Sequence, residues 1–328
     1  GVVLVTDGVY PETVAVTRTV TILGRCATRV RIEGREPVAP AAVQVHGDGV
    51  SLTLRGVALV STDLHGNLDD FLALRRRFLR ERQRCPDTHW VQLGDIVHAP
   101  DAAARAEQPA LYDFADGSMA IVDGFLALID EHPGHVHFVL GNHDHGNIGG
   151  PHPSKFYADE VAALEAQLDE SQIARLRRLF GGALLAVVAP CGVLLCHGPP
   201  DETLRDLRQL DDMVLPGCGA TADQRRLLQT LLCSYGQANA VTRPVLAQVS
   251  AHGGWDLRVV LHGHDRDEAG FFVEGEAQVC TVLFGAARGD KRFVRLDLAA
   301  RYDGAQALRD GHEILRLYDD GLDATGAG

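Results

Sequence analysis

Five short polar segments of this chain hold residues that could do chemistry together. They carry Asp63 with His65, Asp95, Asn142 with His143, His197, and His264, and each follows directly on an apolar run. Carboxylate and amide oxygens mixed with imidazole nitrogens suit borderline divalent ions such as Mn, Fe or Zn, and make a poor site for Ca. Asp63, His65, Asp95, Asn142, His197 and His264 offer enough donors for two such ions. Dividing them about one shared carboxylate leaves open positions on each ion for water and substrate, as two-metal hydrolytic chemistry requires. A single Asp-x-His after a strand is commonly a cap or a turn. Five such segments in chain order carry more weight.

The elements that must position these residues follow an α/β rhythm. Val57 to Ser61, Trp90 to Leu93 and Val136 to Leu140 read as buried strands, and a polar loop follows each. Between them, Leu68, Phe71, Leu72, Leu74, Phe78 and Leu79 recur at helical spacing, as do Ile121, Val122, Phe125, Leu126, Leu128 and Ile129. The arginines from Arg75 to Arg84 fill the other face of the first helix and read as a solvated surface. A helical stretch is expected over about 155–180, then strands at Leu184 to Val188, Val193 to Cys196, Val259 to Leu261, Phe271 to Val273 and Val279 to Phe284. Polar loops at the C-terminal ends of strands are where layered α/β domains bind ligands.

Residues 1–57 have a different texture. Short β-rich pieces at Val14 to Val16, Val20 to Leu23, Val30 to Ile32, Val43 to Val45 and Leu52 to Leu54 suit a small all-β module. The wording around Gly8-Val9-Tyr10, Thr19 to Gly24 and Gly49 to Leu54 resembles the coils of right-handed parallel β-helix proteins. The expected organisation is thus a β-rich module over 1–57, an α/β domain over 58–318 and a frayed Gly/Ala/Asp-rich tail over 319–328.

With 328 residues and 46% hydrophobic composition, one large core is affordable. A net charge of −13 repels a polyanionic backbone and argues against nucleic acid as a partner, although a cleft holding cations still attracts a phosphate monoester. Seven cysteines without CxxC or zinc-finger spacing read as reduced thiols. With no apolar run of membrane-spanning length and no leader, the expectation is a cytoplasmic protein that does not meet a membrane, though a first residue of Gly marks a processed or truncated start.

The polar segments read DLHGN at 63–67, GDIVH at 94–98, GNHD at 141–144, CHG at 196–198 and GHD at 263–265. In this order they resemble the calcineurin-like metallophosphoesterases, and within them the phosphoprotein (Ser/Thr) phosphatase family, over about 57–300. Lys155 to Glu160 is similar to that family's FYDE-like helix, Leu231 to Ser234 to its LLWS segment, and Thr281 to Ala286 to its TLFSAP strand. The resemblance implies a metallophosphoesterase β-sandwich flanked by helices. It gives Asp63 and His65 to a first metal, makes Asp95 the bridge, and gives Asn142, His197 and His264 to a second. His143 becomes the general acid, and a metal-bridging hydroxide attacks phosphorus in line.

The family usually has GDYVDRG, whose second Asp orients the acid and whose Arg grips phosphate. This chain has His98-Ala99 instead. Arg243 or Arg266 is then the candidate for the phosphate fork, and an acidic residue of 99–117 for orienting His143. His262 reads as a strand-end residue beside the metals. The expected activity is hydrolysis of phosphomonoesters, above all phosphoserine or phosphothreonine in proteins. The alternatives are a nucleotide hydrolase of the diadenosine-tetraphosphatase kind, and a binding protein with a degraded site whose N-terminal module meets a carbohydrate or a protein.

Overall fold

Leu59 and Trp90 face one way while Val60 and Val91 face the other, and this period of two generates a sandwich with helices outside it. The computed structural model describes residues 56–211, 213, 215 and 220–318, together with short backbone segments before residue 53. Those segments pair in parallel, Val2–Val5 with Thr21–Gly24 and Gly8–Tyr10 with Val30–Ile32, while Val43–Gln44 pairs antiparallel with Ser51–Leu52. The expected pieces at 14–16 and 53–54, the β-helix resemblance as a whole and the tail from 319 fall on or include residues outside the described ones.

The first sheet is built on β1 (Val57–Ser61), β2 (Thr88–Leu93) and β3 (Val136–Val139), all parallel. The second contains β4 (Ala186–Ala189), β5 (Val193–Cys196), β6 (Val259–His262), β7 (Phe271–Glu274) and β8 (Gln278–Thr281). Its order is β4-β5-β6-β8-β7, with β5, β6 and β8 parallel. Two strands not anticipated from the sequence, β9 (Arg292–Asp297) and β10 (Ile314–Arg316), extend the first sheet to the order β10-β9-β1-β2-β3. Val60, Val91, Val139, Val187, Leu195, Leu261, Val279 and Val294 fill the space between the sheets. The fold is therefore the expected sandwich flanked by helices.

Helix α1 (Leu68–Arg84) starts where the Asn67 side chain accepts from the Asp70 N–H, and it buries Phe71, Leu74 and Phe78 against Trp90. With α2 (Ser118–Glu131), which contributes Phe125, it covers the outer face of the first sheet. The helical stretch expected over 155–180 is two helices, α4 (Glu160–Glu165) and α5 (Glu170–Gly181), each with an aspartate N-cap, Asp159 and Asp169. The strand expected to reach Phe284 stops at Thr281, and the chain then turns at Gly285 with φ +88.

Parallel register does the positioning. Ser61 pairs with Gln92 and Leu93 with Val139, so the loops holding Asp63, Asp95 and Asn142 leave the sheet side by side. Leu195 pairs with Leu261, and the His197 and His264 loops emerge together in the same way.

Candidate metal centre

Backbone hydrogen bonds join the loops in two pairs, and side chains tie in the Asn142 loop. The Asp95 carbonyl accepts from the N–H groups of Leu64 and His65 at 2.8 and 2.9 Å, and Gly263 N–H donates to the His197 carbonyl at 2.9 Å. Behind Asp95 stands Asp144, at the start of the short helix α3 (Asn142–Gly146). Its carboxylate accepts from the backbone N–H groups of Asp95 at 2.7 Å, Ile96 at 3.0 Å and Gly141 at 3.0 Å. A side chain on Gly141 would overlap the Asp95 carboxylate, which explains glycine there.

Among the described residues, His65, Asp95, His98 and His264 are the only non-glycine residues with positive φ, at 42, 52, 68 and 68°. Left-handed backbone at such residues costs on the order of 1 kcal/mol or more each and persists where the surroundings enforce it. Here it turns side chains at strand ends back over the sheet edge.

Asp95 sits at the middle. Its Oδ1 accepts from the His143 N–H at 2.9 Å, while Oδ2 lies 3.8 Å from His65 Nε2 and 3.4 Å from His197 Nε2. One carboxylate oxygen thus faces two groups of donors. His65, Asp95 and His143 form one, and Asp95, His197 and His264 the other. Asp63 enters through Oδ2, which accepts from the His264 N–H at 3.1 Å.

The donor set fits divalent cations. His197 Nδ1 lies 2.7 Å from the Leu93 carbonyl and must donate to it, so Nε2 is the nitrogen turned toward the cluster. That nitrogen meets Asn142 Oδ1 at 3.1 Å and His264 Nδ1 at 3.2 Å. Turning the Asn142 amide would bring its nitrogen near acceptors alone: His197 Nε2, His264 Nδ1, Asp95 Oδ2 and the Leu232 carbonyl. The Asn142 side chain can thus meet this crowd either with its oxygen, beside a cation, or with its amide nitrogen as the donor. His65 Nδ1 is buried without a protein partner.

The electrostatics agree. Burial opposes charge on His197, yet the Asp95 carboxylate overrides it and raises the His197 pKa to about 10. Burial, reinforced by Asp95, raises Asp63 to about 6, and burial together with the cationic His197 depresses His264 to about 3. The carboxylates of Asp95 and Asp63 thus favour positive charge at His197 Nε2, which a proton or a divalent cation can supply, while His264 stays a neutral donor.

The ligand loops open onto a cavity of about 650 Å³ whose other walls are Pro153, Ser154, Lys155, Tyr235, Asp265, Arg266 and Phe284. Lys155 Nζ sits 4.7 Å from the Phe284 ring centroid and Arg266 Cζ 6.0 Å from it. Lys155, Tyr235 and Phe284 were not anticipated as pocket residues. Arg266 was, and it lines the pocket. Arg243 does not: it pairs with Glu276 at the surface and borders a separate cavity with Pro244 and Gln306. Arg243 is not among the residues that line the metal-side pocket, whereas Arg266 is. His262 is fully buried, with Nδ1 2.9 Å from the Gly263 carbonyl and 3.9 Å from Asp265.

His98 stands against His143, with their Nδ1 atoms 3.4 Å apart. The carboxylate beside His143 does not come from 99–117, where Asp101 caps the helix Ala102–Glu107 and Asp116 accepts from Ser118. It is Glu160, whose Oε2 lies 2.7 Å from His143 Nδ1. The described cysteines are free, as expected. No helix among the described residues is long and apolar enough to cross a membrane.

Comparison with known proteins yields no match among curated sequences. Among solved structures, a serine/threonine phosphatase from Saccharomyces cerevisiae with similarity to human phosphatase PP5 aligns over 75% of this chain and 74% of its own, at 16% identity and TM-score 0.51. A cold-active protein-tyrosine phosphatase of a Shewanella species aligns over 79% and 86%, at 13% identity and TM-score 0.47. A putative diadenosine tetraphosphatase aligns over 74% and 89%, at 16% identity and TM-score 0.38. The first of these likenesses supports the shared fold, and the sequence profile of the calcineurin-like phosphoesterases matches residues 57–267. The chain belongs to the calcineurin-like phosphoesterase family.

Proposed function

We propose that this chain hydrolyses phosphomonoesters with two divalent ions, Mn, Fe or Zn, held by Asp63 and His65 on one side, by Asn142, His197 and His264 on the other, and shared by Asp95. The observation that supports this reading is the position of Asp95 Oδ2, 3.8 Å from His65 Nε2 and 3.4 Å from His197 Nε2, between two groups of residues able to hold an ion. When bound, two such ions supply an activated water and neutralise charge on the phosphoryl oxygens.

The chain's own groups do the rest. Lys155 and Arg266, on the facing wall, hold the phosphate by charge-assisted hydrogen bonds. His143 passes a proton from Nε2 to the ester oxygen as its bond to phosphorus breaks, so the alcohol leaves neutral. Phosphoserine or phosphothreonine in a protein is the favoured substrate. Supporting it are the family motifs and a pocket rim of exposed side chains, Ser154, Lys155 and Tyr235, open to a residue presented by a larger partner.

The test is metal analysis with a substrate panel of p-nitrophenyl phosphate, phosphoserine and phosphothreonine peptides, and diadenosine tetraphosphate. Two metals per chain with turnover of the first two classes are expected. Cleavage of the anhydride alone would make the chain a nucleotide hydrolase, and a metal-free, inert protein would make it a binding module.

A further inference from the structure

The β2 loop has lost the carboxylate that the family motif places beside the acid, and the structure puts another in its place from a different part of the chain. We propose that Glu160 is the residue that positions His143, an inference that rests on the role of His143 in the proposed phosphomonoesterase reaction.

Glu160 has no exposed side-chain surface. A buried carboxylate is costly unless its oxygens are satisfied. Oε1 accepts from the Phe156 N–H at 2.6 Å, while Oε2 accepts no hydrogen bond of regular geometry and is offset by ion-pair contacts with His143 Nδ1 at 2.7 Å and His98 Nδ1 at 3.6 Å. The Glu160 N–H donates to the Pro153 carbonyl at 3.1 Å, closing the segment on itself.

Hydrogen-bond logic then fixes the imidazoles. The Asn147 amide nitrogen donates to the His143 carbonyl at 3.2 Å, which orients the amide, and the same nitrogen lies 3.1 Å from His98 Nε2. His98 Nε2 must therefore be an acceptor, and the His98 proton sits on Nδ1, the nitrogen facing His143 Nδ1 at 3.4 Å and Glu160 at 3.6 Å. His143 Nδ1 lies 3.4 Å from His98 Nδ1 and 2.7 Å from Glu160 Oε2, so the carboxylate is the nearer and the charged acceptor for a proton on that nitrogen. Glu160 thus fixes the His143 tautomer with Nδ1 protonated, leaving Nε2 as the nitrogen offered to the pocket that His143 lines. His98, locked by Asn147, occupies the place of the missing acidic residue without supplying its charge.

The experiment compares wild type, Glu160→Gln, Glu160→Asp, His143→Ala and the Glu160→Gln/His143→Ala double variant, all loaded with Zn and checked for metal content and Tm. Glu160→Gln should lose about 10- to 100-fold in kcat on an alkyl phosphate and under about threefold on p-nitrophenyl phosphate, whose leaving group scarcely needs a proton. Glu160→Asp should recover part of the loss. In the His143→Ala background, Glu160→Gln should cost less than about twofold, because it acts only through that ring. Equal losses on both substrates, or additive losses in the double variant, would overturn the positioning role. Should Glu160→Gln fail to fold, Glu160→Asp and the wild type still decide the matter: ¹⁵N chemical shifts of His143 in the Zn-loaded wild type must show a protonated Nδ1, and a protonated Nε2 with bare Nδ1 refutes it. That signal needs no turnover, so an inactive parent protein would count against phosphomonoester hydrolysis alone.

Discussion

Asp95 Oδ2 lies 3.4 Å from His197 Nε2, while Oδ1 of the same carboxylate is occupied by the His143 N–H. One oxygen is thereby tied to the loop of the acid and the other is free to face both donor groups. Asp95→Asn removes the charge that raises the His197 pKa and exchanges one oxygen for a donor. It should lower metal content more than any other single donor substitution and abolish turnover. A variant that keeps two metals and more than about a tenth of the rate, less than about 1.4 kcal/mol of barrier, would refute the shared role.

His143 comes within coordinating distance of His65 and Asp95, so position alone does not separate an acid from a ligand. Its function should appear in what His143→Ala leaves intact. The variant is expected to keep both metals and lose about 10² to 10⁴ in kcat on alkyl phosphates. Inductively coupled plasma mass spectrometry alongside the assays checks this: metal lost together with turnover would make His143 a ligand.

The candidate donors are legible in the sequence because each lies in a contiguous motif at the end of an apolar strand, and parallel register brings them together. Glu160 and Lys155 were not, although the segment holding them had been singled out. Their roles depend on where the 153–160 loop folds back, and no local pattern encodes that. The place of Arg243, paired with Glu276 beside a separate cavity, is likewise set by the tertiary structure alone. Strand β9 escaped notice because its charged residues break the apolar run, and their partners, Asp310 for Arg292 and Glu81 for Arg295, are distant in sequence.

Restoring the family's acidic residue at position 98 should harm this protein. His98 Nδ1 is 3.6 Å from Glu160 Oε2 in a fully buried site, so His98→Asp would set two carboxylates side by side. We expect destabilisation of about 1–3 kcal/mol, a Tm lowered by about 2–4 °C for each kcal/mol, and no gain in turnover. Adding Glu160→Gln should recover most of the Tm. An unchanged Tm with faster turnover in His98→Asp alone would show that Glu160 carries no charge there.

Lys155 lies at the pocket mouth, crowded by Phe284 at 4.7 Å and Phe156 at 5.3 Å. This desolvation, with the charge of Arg266 adding to it, lowers its pKa to about 8, against the opposing pull of Asp63 and Asp95. The ammonium is therefore charged at neutral pH and loses its charge as pH rises through about 8. A phosphate monoester has its second pKa near about 6 and changes no further in that range. Substrate binding should weaken accordingly, with KM climbing above pH 8 while kcat changes less. Lys155→Arg, which does not titrate there, should remove that climb, and Lys155→Ala should raise KM about tenfold or more at pH 7, the value of a charged hydrogen bond, and flatten its pH dependence. Initial-rate measurements from pH 6.5 to 9.5, chosen to bracket the shifted pKa of about 8, decide the point. A KM that climbs equally in Lys155→Arg would take the phosphate contact away from Lys155 and leave it to Arg266.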